Sequence, residues 1–283
     1  MTDLKSLLKV GDVMVKLSGF AATHVGEIRR NNEDNYYING QYKKGMDALT
    51  DACQNDSACG RYLCAVCDGM GGEAFGETAA FIAVKTLDKY LNTDFRKKSD
   101  EYIEKANKLI CDEIEKNDGA RIGTTLALLY IQNETAVAYN VGDSRIYLYR
   151  KNKLRQLSED HNQTQRLVRL GLLKQSDARN HKDKHKLTQH LGIFPEELII
   201  EPYISQEISL KQGDIFLLCS DGLTDMLTDE EIAEFLKQEK DIKKRGEALI
   251  QAALQHGGKD NVTVVLVKAE EIKNNKSIWN RLF

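Results

Sequence analysis

Five acidic residues of this 283-residue sequence stand at the ends of apolar runs or immediately before one. Asp34 closes Asn31-Asn32-Glu33-Asp34, and Asp68 is followed by Gly69-Met70-Gly71-Gly72. Asp143 lies in Gly142-Asp143-Ser144-Arg145, Asp221 stands between Ser220 and Gly222, and Asp260 with Asn261 precedes Val262–Val267. A single acid at such a place is ordinarily a turn former. Five of them, three beside glycine, point instead to strand ends that converge on one cleft. Carboxylates gathered in one cleft repel strongly unless cations neutralise them. The candidate ligands are all oxygens, so magnesium or manganese suits them better than zinc. Gly69 has no side chain to keep its carbonyl from such an ion. Two ions about 4 Å apart can activate a water and stabilise in-line attack at phosphorus.

Competing motifs fail on single residues. Ala74 holds the third glycine position of a GxGxxG loop, and no GxxxxGK[ST] stretch is present. Leu218 stands where a GxSxG elbow around Ser220 needs its first glycine. Asp225, not arginine, lies six residues after Cys219, which excludes a CxxxxxR phosphate cradle. The six cysteines are Cys53, Cys59, Cys64, Cys67, Cys111 and Cys219. Cys64 and Cys67 form a CxxC inside a strand-like run, where alternation points them to opposite faces. Buried thiols are therefore expected there rather than a metal site; a Cys53–Cys59 disulfide is the other alternative.

The elements that must position these acids are readable from periodicity. Strands are expected at Tyr62–Cys67, Thr124–Ile131, Ala136–Asn140, Arg145–Tyr149, Asp214–Cys219 and Val262–Val267. Helical spacing runs from Glu77 to Leu91 and through Ile103, Ala106, Ile110 and Ile114. Two more helices are expected in 228–255, the first opened by a capping box of Thr228 and Glu231. Helices and strands cluster separately, which favours an α+β fold. Residues 39–60 read as a polar loop, and 162–190 as a short helix followed by a mobile flap. Residues 1–17, with Leu4, Leu7 and Leu8, could form a short amphipathic helix. The tail Asn274–Phe283 carries the only tryptophan, Trp279, and reads as docking on the domain or as a partner-binding peptide.

Composition sets the outer limits. Apolar residues at 41% and charged residues at 29% exclude a largely disordered chain. Lys plus Arg total 40 against 43 Asp plus Glu, a net charge of −3 that offers no general platform for nucleic acid. No run approaches the 18 apolar residues of a membrane span. Charges break the first ten residues, where a signal peptide would need an apolar region. A cytoplasmic protein is the expectation.

Taken in order, Arg29-Arg30-Asn31-Asn32-Glu33-Asp34, Asp68-Gly69-Met70-Gly71-Gly72, Gly123-Thr124-Thr125, Gly142-Asp143-Ser144-Arg145, Ser220-Asp221-Gly222-Leu223 and Asp260-Asn261 form a specific set. The set resembles that of the metal-dependent serine/threonine phosphatases of the protein phosphatase 2C family, in their compact bacterial form. The resemblance runs from about Ser18 to Val267. It implies an N-terminal extension over 1–17, a catalytic domain over 18–269 with its flap at about 162–190, and a tail over 270–283. The implied fold is a central antiparallel β-sandwich flanked by helical layers. By the same resemblance Asp68 bridges two Mn2+ or Mg2+ ions, Asp221 and Asp260 complete the first ion's protein ligands, and Gly69 gives its carbonyl to the second. Asp143 with Asp221 resembles a third-metal site, while Glu33 and Asp34 hold metal-bound waters from behind. Asn261 braces the Asp260 loop. Arg29 grips the substrate phosphate, with adjacent Arg30 the competing candidate.

The implied reaction is direct hydrolysis of a phosphomonoester by a metal-bridged hydroxide, with no phosphoenzyme. The implied partners are proteins phosphorylated on Ser or Thr and a cognate Ser/Thr kinase system. Two departures stand out. Met70 replaces a histidine of many eukaryotic members, which leaves the general acid unassigned. Leu187-Thr188-Gln189-His190-Leu191-Gly192 replaces an LTRALG-like stretch and loses an arginine, which bears on substrate preference. His181, His185 and His190 read as solvated flap residues. A pseudophosphatase binding module and a phosphatase of small esters are the competing readings.

Overall fold

Strands whose two faces are both covered lose the polar alternation of a half-exposed strand and become nearly continuous apolar runs. Arg61–Cys67, Leu126–Gln132 and Ile215–Cys219 have that character. The computed structural model describes residues 14–58, 60–71, 75–118, 120, 122–238 and 241–273. Among these, two seven-stranded antiparallel sheets pack face to face. The first runs in the order Lys153–Gln156, Arg145–Arg150, Ile215–Cys219, Val262–Lys273, Met14–His24 and Thr50–Gln54, with Ser57–Ala58 also paired to Met14–His24. The second runs Tyr203–Ile204, Thr135–Val141, Leu126–Gln132, Arg61–Cys67, Asn35–Ile38 and Gln41–Tyr42, with Ile208–Ser209 paired to Thr135–Val141.

Alternation sorts the side chains into three buried layers. Cys64, Val66, Leu129, Phe216, Leu218, Val265 and Val267 fill the space between the sheets. Leu63, Ala65, Cys67, Leu128 and Tyr130 face outward, under the helices Gly76–Leu87 and Ser99–Lys116. Ile215, Leu217, Cys219, Val264 and Leu266 face the opposite way, under Asp229–Gln238 and Ile242–Gln255. The result is the expected α+β sandwich with a helical layer on each side. Cys64 and Cys67 do lie in different layers, and both are free thiols, as is Cys53; Cys59 lies outside the described residues. The capping box forms as read: Glu231 N–H donates to Thr228 Oγ1 at 3.2 Å, and Thr228 N–H donates to Glu231 Oε2 at 2.7 Å.

The structure corrects the sequence reading at the sheet edges. Residues 39–60 are not simply a loop but carry Gln41–Tyr42, Thr50–Gln54 and Ser57–Ala58. Their side chains are largely exposed, so ladder hydrogen bonds to Met14–His24 and Asn35–Ile38 hold them rather than an apolar pattern. Residues 14–17 open the long strand Met14–His24 instead of ending a helix, and pair with Lys273 back to Ala269. The rest of the expected N-terminal helix and the tail Asn274–Phe283 lie outside the described residues.

Close packing against the helical layer is sharpest at Gly246, where an added Cβ would come within 2.3 Å of the buried Phe20 ring. Gly246→Val is expected to lower unfolding stability by about 1–3 kcal/mol, read as a lower denaturation midpoint at unchanged slope.

Candidate active site

The five acids come to one end of the sandwich because each terminates or precedes a strand that reaches it. An open cleft of about 560 Å³ is lined by Arg29, Glu33, Asp68, Gly69, Asp143, Asp221 and Asp260, and also by Thr125, His185 and His190. Asp34 lies beneath it, 1% exposed. Arg29 faces the cleft, where its Nη2 lies 2.7 Å from Asp260 Oδ2; Arg30 is exposed and does not line it.

Backbone contacts lace the acid-bearing loops together. Asn261, 6% exposed, donates from Nδ2 to the carbonyls of Val25 at 2.8 Å and Asn31 at 2.9 Å. Its Oδ1 accepts from Glu33 N–H at 2.8 Å. Asn261 therefore fastens the Arg29–Glu33 loop to the Asp260 loop. Gly26, at φ 84°, allows the same approach, because a Cβ there would lie 2.2 Å from the Asp260 carbonyl. A Cβ on Gly222 would lie 2.0 Å from the Asn261 carbonyl, so only glycine lets Asp221 come alongside. On the other side of the cleft Asp68 N–H donates to Thr125 Oγ1 at 2.9 Å, and Thr125 shares a 2.7 Å hydrogen bond with Ser144. That chain joins Asp68 to the Asp143 turn.

This assembly is electrostatically strained. Asp68 is held well above the ordinary carboxylate range, first by burial and then by Asp34, Asp221, Asp143 and Asp260. Burial and Asp221 raise Asp143 in the same way, and burial followed by Asp221 raises Asp260. Burial also pushes Glu33 up to about 7, with Glu77 adding to the shift, and Asp34 up to about 6. Asp34 Oδ2 accepts from Ser220 Oγ at 2.8 Å and Thr263 Oγ1 at 2.6 Å, which opposes the rise. Its Oδ1 is buried with no hydrogen-bond partner among the described residues. Hard oxygen donors, mutual repulsion and an orphaned carboxylate oxygen beneath them fit divalent magnesium or manganese.

Several residues in or beneath the cleft carried no role in the sequence reading. Thr125, Ser220 and Thr263 are buried hydroxyls, and their signal was a polar residue inside or closing an apolar run. Lys43, also buried, donates from Nζ to the Asn32 carbonyl at 2.7 Å, which gives the 39–60 segment a part in holding Glu33 and Asp34. His185 and His190 line the cleft rather than standing only in solvent; His185 lies 3.4 Å from both Asp221 and Asp225. Residues 182–185, which carry His185, form a turn rather than a helix.

An antiparallel sandwich that gathers hard oxygen donors at one end fits a metal-dependent phosphoester hydrolase. Residues 46–259 match the family model described as protein phosphatase 2C. The serine/threonine phosphatase stp of Listeria welshimeri is 33% identical over 255 residues, covering 87% of this chain and 93% of that one. The crystal structure of the Mycobacterium tuberculosis serine/threonine phosphatase PstP/Ppp superposes with a TM-score of 0.76 at 31% identity, covering 90% of this chain and all of that one. A PstP catalytic domain in complex with two manganese ions matches at a TM-score of 0.73 and 30% identity, covering 90% of this chain and 100% of that one. The chain belongs to the protein phosphatase 2C family.

The raised carboxylates set a sign for pH dependence. An acid whose pKa is higher folded than unfolded binds more protons in the native state, so its contribution to stability is lost as pH rises through the folded value. Unfolding of chelator-treated protein should show stability falling from about pH 4, the ordinary carboxylate range, through the values of about 6 for Asp34 and about 7 for Glu33.

Proposed function

We propose that this chain is a serine/threonine phosphoprotein phosphatase that hydrolyses the phosphomonoester directly, with Mn2+ or Mg2+ as cofactor. The observation that carries the reading is the convergence of Asp68, Asp143, Asp221 and Asp260 with Arg29 on one cleft. The manganese-bound relative supports a two-ion arrangement. Asp68, Asp221, Asp260 and the Gly69 carbonyl would hold the pair, Asp143 with Asp221 would hold a third ion, and Glu33, Asp34 and Asn261 would support them from behind. Bound there, two hard divalent ions supply the Lewis acidity that makes water nucleophilic near neutral pH and offset phosphoryl charge.

The chain's own residues do the rest. The Arg29 guanidinium is planar, always charged and half exposed at the cleft, so it can grip two phosphoryl oxygens at once. Direct attack by water is favoured because the cleft offers no serine or cysteine among its described residues. Its one hydroxyl, Thr125, is 1% exposed and already bonded to Asp68 and Ser144. Cys219 and Ser220 are fully buried. Met70 cannot give a proton to the leaving alkoxide, and the imidazoles lining the cleft are His185 and His190.

The catalytic domain on this reading is 18–269, carried outward to 14 and 273 by the pairing of Met14–His24 with Val262–Lys273, with its flap at about 162–190. Its substrates are proteins phosphorylated on Ser or Thr, made by an opposing kinase, and its free thiols suit the reducing cytoplasm. No described helix is long and apolar enough to cross a membrane.

Turnover of an aryl phosphate and of a phosphothreonine peptide during a manganese titration tests the reading. Metal-dependent turnover of both is expected, falling to background in Asp221→Asn. Arg29→Ala should lose on the order of 10²-fold in kcat/KM, the scale of one oxyanion-binding group. No turnover by folded, metal-saturated protein would point instead to a binding module on this fold.

A further inference from the structure

Beside the cleft lies a second open groove, of about 640 Å³, whose walls include Ile114, Ile122, Ile193 and Phe194. Glu197 is the only carboxylate in its described lining. Met70, Gly71 and His190 line both the groove and the cleft, so the two are continuous. We propose that this groove receives an apolar side chain of the phosphopeptide substrate, from one to three residues away from the phosphorylated residue. The proposal rests on the phosphatase reading above and adds a substrate class to it.

The floor of both sites is one short ribbon. Gly69–Gly71 pairs antiparallel with Ile122–Thr124, in the register Gly69↔Thr124, Met70↔Gly123, Gly71↔Ile122. The Gly69 end is at the carboxylates, and the Ile122 end is in the groove. Two strand steps span roughly 7 Å, about the advance of two residues of an extended peptide. A peptide held by its phosphate in the cleft and lying along this ribbon thus brings a side chain about two residues away over the groove.

The groove is preformed. Thr124 and Leu191 exchange backbone hydrogen bonds of 3.0 and 2.9 Å, which adds residue 191 to the ribbon. Asn107, from the helix Ser99–Lys116, accepts from Gly192 N–H at 2.6 Å and Ile193 N–H at 3.2 Å, and donates to the Ile193 carbonyl at 2.8 Å. Asn107 thereby fixes the wall that carries Ile193 and Phe194. A Cβ on Gly123 would lie 2.6 Å from His190 Nδ1, so the imidazole rests directly on the ribbon at the boundary between the sites. Gln189 and His190 are the positions where the flap departs from the LTRALG-like pattern. An apolar wall needs an apolar partner to displace its water, and a charged or small polar side chain gains nothing from it.

The test is steady-state kinetics on phosphothreonine heptapeptides in which Leu or Ser is placed in turn at each of the three positions on either side. Leu at one or more of these positions should raise kcat/KM by about tenfold over Ser, chiefly through KM, as burial of one apolar side chain gives. Phe194→Ser should erase that preference, while Phe194→Leu should keep it. Aryl phosphate, too small to span both sites, reports the cleft alone. Equal kcat/KM for Leu and Ser at every position of a turned-over series would overturn the groove and leave the phosphatase reading intact. So would a preference undiminished in Phe194→Ser. No turnover of peptide or aryl phosphate would overturn both.

Discussion

Repulsion among carboxylates is the constraint on which the rest of this structure depends. Asp34, Asp68, Asp143, Asp221 and Asp260 are brought together where water cannot fully screen them, and burial with mutual repulsion raises Asp34, Asp68, Asp143 and Asp260 above the ordinary carboxylate range. Such a cluster destabilises the native chain whenever it is ionised and uncompensated. The sandwich must therefore hold the acids in place from elsewhere. Three buried layers, two of them shared between a sheet and its helices, provide that support.

The local lacing explains how loops, rather than strands, can carry the site with small positional error. Asn261 commits its whole side-chain amide to the 25–33 loop. Gly26 and Gly222 permit contacts that any Cβ would block. Thr125, Ser144, Ser220 and Thr263 are hydroxyls buried among apolar strands, a placement that costs desolvation and is offset by the hydrogen bonds they make to acid-bearing segments. Stability and activity are thus set against each other: the groups that would bind cations are the ones the fold must restrain.

Much of this was legible in the sequence, for identifiable reasons. Central strands such as Arg61–Cys67 and Ile215–Cys219 are buried on both faces, so their apolar runs mark them, and the Asp–Gly pairs that follow mark their ends. The helices of 229–255 announced themselves by period and by the Thr228–Glu231 box. Edge strands were not legible. Thr50–Gln54 is held by hydrogen bonds to Met14–His24, and a ladder hydrogen bond leaves no side-chain pattern. The acids of the cleft were found because their type is restrictive, whereas Thr263 and Lys43 were not, since their importance lies in which distant group they reach. The cleft-facing positions of His185 and His190 depend on how the segment up to Leu191 folds back onto Thr124, a long-range pairing no local window contains.

The central claim is that the carboxylate cluster is a liability of the free chain and the seat of cation binding. Thermal unfolding of the wild type and Asp68→Asn at about pH 8, with chelator and with saturating Mn2+, tests it most directly. The account predicts that without cation the variant melts higher than the wild type, because the cost of a carboxyl whose ionisation burial and its neighbours oppose is gone. It predicts also that Mn2+ raises the wild-type Tm and leaves the variant nearly unmoved. A variant that melts lower than the wild type in chelator, or that gains as much from Mn2+, would contradict it.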